Sequence, residues 1–231
     1  MIRALIFNFD GLILDTEGPE FQSWQETYQT HGHVLSFALW ATCIGTTGGF
    51  DPYTHLEEQL GRALDRDALR TQHRQRCTEL LQAQAILPGI TEYIAEAQRL
   101  GLRLGVASSS TRAWVVGHLS RYGLETHFTC IKCSDDVPRT KPDPALYLAA
   151  LDALGIRPDE AIALEDSPNG ITAAKRAGLF CVAVPNPLTR QLPLDHADLQ
   201  IPSLADLPLA HLLTEVQQRL RLPHAPTPTL P

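Results

Sequence analysis

The feature that most constrains the fold is an apolar run near the start of the chain that ends in polar residues. Residues 4–9 read Ala-Leu-Ile-Phe-Asn-Phe, and Asp10 and Gly11 follow directly. A run rich in Leu, Ile and Phe predicts a buried strand that opens into a loop. Because open α/β sheets bind ligands at the carboxyl ends of their strands, Asn8 and Asp10 are predicted to lie in the functional site.

Short apolar runs alternate with helix-like segments along most of the remaining chain. Strands are predicted at 102–107, 128–133, 161–164 and 180–184, with an edge strand at 198–201, and helices at 90–100, 112–122, 141–154, 168–177 and 206–220. This alternation predicts an α/β fold with a Rossmann-like, doubly wound parallel sheet. The Pro-rich end, 223–231, is predicted to be a flexible tail.

Between the first strand and residue 85 the pattern is helical only. Helices are predicted at 17–31, 35–44, 51–61 and 65–84. Such a run of helices between two strands indicates a separate module inserted in the first crossover. We therefore predict a core domain formed by residues 1–14 and 86–231, with an inserted α-helical cap domain at 15–85.

Composition excludes some classes of function. The 231 residues carry a net charge of −7 without a basic cluster, which argues against a nucleic-acid partner. No apolar run approaches the roughly 20 residues of a membrane span. Since the first strand begins almost at once, we expect no signal peptide and a cytoplasmic location. The five cysteines have no disulfide-like spacing and are predicted to be structural, and nothing in the sequence requires more than a monomer.

Three further polar groups occur near predicted strands. Ser108 and Ser109 follow the strand at 102–107, where hydroxyl and backbone N–H groups can hold phosphate oxygens. Lys141 precedes Pro142 at the start of the helix predicted at 141–154, a position where a lone lysine is normally a solvated surface residue. Glu165 and Asp166 follow the strand at 161–164, and adjacent carboxylates repel one another unless they are solvated or hold a hard cation such as Mg²⁺.

In this order the motifs resemble the signatures of the haloacid dehalogenase superfamily of phosphotransferases. The first signature of that family reads DxDGxxxDTE, and residues 8–17 read NFDGLILDTE, so that Asn8 stands where the family carries its nucleophilic aspartate. The chain is most similar to the subgroup with a helical cap inserted after the first strand. That subgroup contains sugar-phosphate phosphatases and β-phosphoglucomutase-like enzymes.

The resemblance implies a Mg²⁺-dependent phosphatase that hydrolyses a small phosphate monoester, a sugar or polyol phosphate, through an aspartyl-phosphate. It implies the nucleophile position for Asn8, general acid and base catalysis for Asp10, and catalytic phosphate binding for Ser108 and Lys141. Further substrate contacts are expected from Ser109, Thr16 and Glu20. The implied Mg²⁺ ligands are Asn8, Asp10, Glu165 and Asp166.

Asn8 departs from this chemistry. An amide is neutral, is a poor nucleophile and is a weaker ligand for a hard cation than a carboxylate. We therefore predict that this chain is impaired in the first covalent step. Because every other catalytic position is intact, the sequence favours a recent or deliberate replacement of the aspartate over a long loss of catalysis.

Two alternatives remain open at this point. An isomerase of the β-phosphoglucomutase type would form the same aspartyl-phosphate and return the phosphate to the substrate, although Glu20 stands where such enzymes tend to carry a histidine. The second alternative is a non-catalytic phosphosugar-binding protein in which Asn8 is the native residue. In each case a small phosphorylated metabolite is the expected partner. The three tryptophans, Trp24, Trp40 and Trp114, are predicted to be core residues.

Overall fold

A computed structural model describes residues 1–45 and 49–221 and contains a parallel sheet of six strands. The strands are β1 Ala4–Phe7, β2 Arg103–Ala107, β3 Cys130–Lys132, β4 Ala161–Glu165, β5 Phe180–Ala183 and β6 Leu199–Gln200. Their order across the sheet is β3-β2-β1-β4-β5-β6, and every pair is parallel. The predicted doubly wound parallel sheet is therefore confirmed.

The central position of β1 brings the predicted site residues together. Phe7, the last residue of β1, pairs with Val106 of β2 on one side and with Leu164 of β4 on the other. The backbone N–H of Asn8 continues this register and donates to the carbonyl of Leu164 at 2.9 Å. Since β1 lies at the point where the strand order reverses, its carboxyl end faces the crevice in which such sheets bind ligands.

Helices cover both faces of the sheet. They are α1 Glu17–Thr30, α2 Phe37–Trp40, α3 Pro52–Leu60, α4 Arg66–Gln82, α5 Ile90–Arg99, α6 Arg112–Arg121, α7 Ala145–Leu154, α8 Pro168–Arg176 and α9 Leu209–Arg221. Helices α5, α6 and α9 pack on one face through residues such as Ile94, Val115 and Leu212. Helices α7 and α8 pack on the other face through Tyr147 and Ile171. Both faces are thus buried, which explains the continuous apolar runs of β1 and β4.

Helices α1 to α4 share a hydrophobic cluster of their own, distinct from the two clusters on the sheet. Its buried members are Phe21, Trp24, Tyr28, Leu35, Trp40, Ile44, Leu56 and Leu69. Two adjacent connections join this helical part to the sheet, and the N–H of Leu87 on one donates to the carbonyl of Ile13 on the other at 3.0 Å. The division into a core (1–14 and 86–231) and a cap (15–85) stays a prediction.

The ends of several helices follow the signals in the sequence. The carboxylate of Asp51 accepts from the N–H of Tyr53, with Pro52 at the first helical position of α3. Asp65 caps α4 in the same way through the N–H of Ala68.

The second cap helix differs from the prediction, since α2 is much shorter than 35–44. Beyond α2, the hydroxyl of Thr42 and the thiol of Cys43 donate to carbonyls of the preceding turn. Such local hydrogen bonds compete with helix continuation, and the chain forms a turn up to Gly45. The strand predicted at 128–133 is likewise shortened to β3. The tail predicted at 223–231 lies outside the described residues.

No helix in the described parts of the chain is both long and apolar enough to cross a membrane.

The Glu57–Arg66 pair between α3 and α4 leads to a prediction about pH. Hydrogen bonds from Arg66 and from the N–H of Leu64 lower the pKa of Glu57 from its ordinary 4.5 to about 2. A carboxylate with a depressed pKa stabilises the fold above pH 4.5, and this contribution is lost as the pH falls towards 2. We expect the melting temperature to fall less steeply over this interval in Glu57→Gln than in the parent chain.

Glu58→Gln is the matched control, because Glu58 is the exposed neighbour of Glu57 on the same helix. If the melting temperature depended on pH equally in the parent chain and in Glu57→Gln, the Glu57–Arg66 pair would not contribute to the pH dependence of stability.

Candidate active site

Asn8 lies at the centre of the crevice and is almost fully buried. Its amide Nδ2 donates to the backbone carbonyl of Asp10 at 2.7 Å and to Oδ1 of Asp166 at 2.8 Å. Its amide Oδ1 accepts from Nζ of Lys141 at 2.8 Å. Because Lys141 can only donate and the backbone carbonyl of Asp10 can only accept, this hydrogen-bond pattern allows a single orientation of the amide.

Lys141 is held in place by a buried ion pair. Its Nζ lies 2.6 Å from Oε1 of Glu165, and both side chains are at most 1% exposed. Tyr147 donates its hydroxyl to the same carboxylate oxygen at 2.5 Å. Burial, followed by the charge of Glu165, raises the pKa of Tyr147 well above its ordinary value, so that it remains a donor.

Asp166 faces Asn8 from the end of β4. Burial and the neighbouring charge of Glu165 raise the pKa of Asp166, while the hydrogen bond from Asn8 and the charge of Lys141 act in the opposite direction. Its second oxygen, Oδ2, accepts from Nδ2 of Asn186 at 3.0 Å. A negative charge at Asp166 is therefore costly unless positive charge lies close to it.

The carboxylate of Asp10 is surrounded by donors. Its Oδ1 accepts from the hydroxyl of Thr16 at 3.0 Å and from the indole N–H of Trp114 at 2.8 Å. Its Oδ2 accepts from the hydroxyls of Ser108 at 3.0 Å and Ser110 at 2.8 Å. These contacts fix the orientation of the carboxylate in the wall of the crevice.

The turn that ends at Gly45 docks the helical part onto the loop after β2 and the start of α8. The hydroxyl of Ser109 donates to the carbonyl of Gly45 at 3.3 Å, and Nδ2 of Asn169 donates to the carbonyl of Ile44 at 2.9 Å. Gly45 has a φ of +76°, and a Cβ there would lie 2.3 Å from Oγ of Ser167. Only glycine combines this backbone conformation with so close a contact.

A cavity of about 830 Å³ lies between the strand ends and helices α1 to α3. The predicted substrate residues Thr16, Glu20 and Ser109 line it, together with Asn8, Asp10 and Lys141. Ser108 does not line the cavity but contacts Asp10. The structure thus brings the predicted site residues to one crevice, and their roles in chemistry stay predictions.

Glu165 is oriented differently from Asp166. Besides Lys141 and Tyr147 on Oε1, its Oε2 accepts from the backbone N–H of Asp166 at 3.2 Å and from the hydroxyl of Ser167 at 3.4 Å. Both of its oxygens therefore have protein donors. This geometry does not favour the predicted metal-ligand role of Glu165 and favours a role in holding Lys141.

The oxygen atoms around Asn8 form a donor set that suits Mg²⁺ in part. The carbonyl of Asp10 and Oδ1 of Asp166 converge on one atom, Nδ2 of Asn8. Hard oxygens that converge in this way suit Mg²⁺ when residue 8 adds a third oxygen. Among the residues that the structure describes, no group of three His, Cys, Asp or Glu side chains forms a metal site, and all five cysteines are free thiols.

Some residues of the site were not predicted from the sequence. Trp114 was expected in the core, but its indole contacts Asp10 and lines the cavity. Asn186 follows β5, so the strand-end rule used for the other site residues would have found it. Glu17 lines the cavity, and burial, with the charges of Asp166 and Asp10, raises its pKa well above the ordinary value.

Comparison with known proteins identifies the family. Residues 5–184 match the model of the haloacid dehalogenase-like hydrolases. YhcW of Bacillus subtilis, provisionally named a phosphatase, is 45% identical over 219 residues, which cover 95% of this chain and 100% of YhcW. Validoxylamine A 7'-phosphate phosphatase of Streptomyces hygroscopicus subsp. limoneus is 28% identical over 92% of this chain and 99% of that protein.

Solved structures agree with this assignment. CbbY from Rhodobacter sphaeroides in complex with phosphate superposes with a TM-score of 0.74 at 33% identity, covering 92% of this chain and 99% of CbbY. An aspartate-to-asparagine mutant of the same CbbY, in complex with xylulose-1,5-bisphosphate, gives a TM-score of 0.73. The chain belongs to the haloacid dehalogenase-like hydrolase family, and within that family it is a phosphatase-type phosphohydrolase.

The buried Lys141–Glu165 pair leads to a prediction about stability. Lys141→Met removes the positive charge and leaves the carboxylate of Glu165 buried without its cationic partner. Breaking a buried pair in this way costs about 3–5 kcal/mol. We expect a loss of this size in the free energy of unfolding, measured by urea denaturation.

Lys175→Met is the matched control, because Lys175 pairs with Asp198 at 2.6 Å in a partly exposed position. Exposed pairs contribute only about 0.2–1 kcal/mol. The double variant Lys141→Met/Glu165→Gln should recover part of the loss. If Lys141→Met cost no more than Lys175→Met, the proposed dependence on the buried pair would be wrong.

Proposed function

We propose that this chain is built as a Mg²⁺-dependent phosphatase for a small sugar or polyol phosphate, and that Asn8 blocks its first chemical step. The observation that carries the proposal is the position of Asn8 between Lys141 and the oxygens of Asp10 and Asp166. A carboxylate at this position would lie beside a fixed ammonium group. Family membership and relatives named as phosphatases support the reaction type.

The proposed chemistry has two steps. First, a carboxylate oxygen at position 8 attacks phosphorus, and the leaving alkoxide oxygen takes a proton from Asp10. Second, Asp10 removes a proton from water, which attacks the phosphorus and releases inorganic phosphate together with the carboxylate. Lys141 stabilises the negative charge that develops during both steps. The amide of Asn8 lacks an anionic oxygen for the first step.

The proposed metal ligands are the backbone carbonyl of Asp10, a carboxylate oxygen of Asp166 and an oxygen of residue 8. When bound, Mg²⁺ supplies positive charge that stabilises phosphoryl oxygens.

Asn8 is poorly suited to complete this set. To offer Oδ1 to a cation, the amide must turn over, and its NH₂ group would then face the NH₃⁺ group of Lys141. Two donors would meet where one hydrogen bond of 2.8 Å now exists. Aspartate has an oxygen for each partner, so it avoids this conflict.

The central test restores the carboxylate. We expect Asn8→Asp to release phosphate from a panel of sugar and polyol phosphates with Mg²⁺, at turnover numbers within the ordinary enzyme range of about 1–10³ s⁻¹. The chain as given should be inactive under the same conditions. Asn8→Ser is the control, because the serine hydroxyl is neutral. This variant shows whether any substitution at residue 8 is enough to restore phosphate release.

The same assay separates the alternatives. A bisphosphate intermediate or an isomerised sugar phosphate formed by Asn8→Asp would identify an isomerase of the β-phosphoglucomutase type. Binding of phosphosugars without turnover in either protein would identify a non-catalytic binding protein. Absence of both binding and turnover would refute the proposed function.

A second test measures Mg²⁺ binding without activity. A ligand present at about 100 times its dissociation constant stabilises the fold by about 2.7 kcal/mol. For a chain of this size, that corresponds to an increase of about 5–10 °C in melting temperature. We expect Mg²⁺ to produce this increase in Asn8→Asp and a much smaller one in the chain as given, with NaCl of equal ionic strength as the control. Equal increases in both proteins would contradict the role assigned to the amide.

A further inference from the structure

The charged groups around the cavity are distributed unevenly. Acidic side chains on its wall are Asp10, Glu17, Glu20 and Asp51, whereas Lys141 is the sole Lys or Arg among the described lining residues. Residues 46–48 read Thr-Thr-Gly and carry no charge. The single ammonium group is already bound to Asn8 and Glu165 at the closed end of the crevice.

This distribution matters because a phosphate ester has two ends. On the proposed function, the phosphate lies against Lys141 and the strand ends. The remaining part of the ester must then extend towards α1, whose first turn contributes Glu17 and Glu20. Residues three apart lie on one face of a helix, and both of these side chains reach the cavity.

Glu20 is held in a fixed position. Its Oε2 accepts from the thiol of Cys77 at 3.0 Å, and its Oε1 lies 3.5 Å from Nε2 of His73. Burial lowers the pKa of His73, despite the opposing charge of Glu20, so that the imidazole stays neutral at neutral pH. The negative charge of Glu20 is therefore not cancelled by its neighbours, and its side chain remains 40% exposed.

Asp51 differs from these two residues. Its carboxylate caps α3 and accepts from Thr54 at 2.5 Å, and it lies 3.6 Å from the guanidinium group of Arg66. Its charge is thus largely satisfied by α3 and α4.

Burial and the charges of Asp166 and Asp10 raise the pKa of Glu17, which favours its neutral form. The uncompensated negative charge that a substrate meets therefore comes chiefly from Glu20.

We propose that the cavity selects phosphate monoesters whose other end is a neutral polyol or carries an amine, and that Glu20 excludes a second anionic group. Hydroxyl and ammonium groups can donate to this carboxylate, whereas a carboxylate or a second phosphate would face like charge without a cationic partner. The proposal rests on the proposed function and narrows its substrate class. It separates this chain from the CbbY mutant, whose crystal holds a bisphosphate.

The test uses esters that share one carbon skeleton. Calorimetry on the chain as given compares glucose 6-phosphate, glucosamine 6-phosphate, 6-phosphogluconate and glucose 1,6-bisphosphate. We expect the neutral and amine-bearing esters to bind at least about tenfold more tightly than the two anionic ones. The difference should shrink at high salt, because screening weakens interactions between charges.

A variant of Glu20 tests the assigned residue. In Glu20→Gln, the ratio between the affinities for neutral and anionic esters should fall several-fold, chiefly through tighter binding of the anionic esters. Glu17→Gln replaces a carboxyl group whose pKa is already raised, so it should change the ratio less. Glu58→Gln removes a charge from an exposed position on α3 and should leave the ratio unchanged. An unchanged ratio in Glu20→Gln would overturn the assignment.

The outcomes distinguish the two proposals. Equal binding of neutral and anionic esters by the chain as given, with phosphate release by Asn8→Asp, would overturn the selection by charge and leave the phosphatase proposal intact. No binding of any ester, together with no phosphate release by Asn8→Asp, would overturn both. Tight binding of the neutral and amine-bearing esters, loss of selectivity in Glu20→Gln and phosphate release by Asn8→Asp would together support both.

Discussion

The ion pair between Lys141 and Glu165 is the interaction on which the rest of the site depends. Because both side chains are buried, the ammonium group has little freedom, and its position determines which atom of residue 8 it contacts. The orientation of the Asn8 amide follows from that contact. The opposite end of the amide then satisfies Asp166, a carboxyl group whose charge is costly in this buried position.

Much of this arrangement could be predicted from the sequence, for a topological reason. A parallel sheet brings the carboxyl ends of its strands to one edge, so residues that directly follow β1, β2 and β4 meet without any knowledge of side-chain conformation. Asn8, Ser108 and Asp166 belong to this class. The helices of the cap were predicted in outline because Pro, Asp and Gly mark their ends.

The remaining features depend on properties that the spacing of apolar residues along the sequence does not encode. Trp114 and Tyr147 reach the site from helices, and which face of a helix turns towards a crevice depends on its packing. The end of α2 depends on local competition between side-chain and backbone hydrogen bonds. Lys141 comes from a loop, and the family motif rather than any strand pattern identified it.

The docking of the turn at Gly45 also attaches the helical part to the segments that carry the site. Ser109 and Asn169 each donate one hydrogen bond to this turn, and each bond contributes about 0.5–1.5 kcal/mol. Moving this turn away from the strand ends would break both bonds, so together they oppose such a displacement. The loop after β2 and the start of α8 thus border the site residues Ser108 and Asp166 and also anchor the helical part, so a substitution in either segment would affect the site and this attachment together.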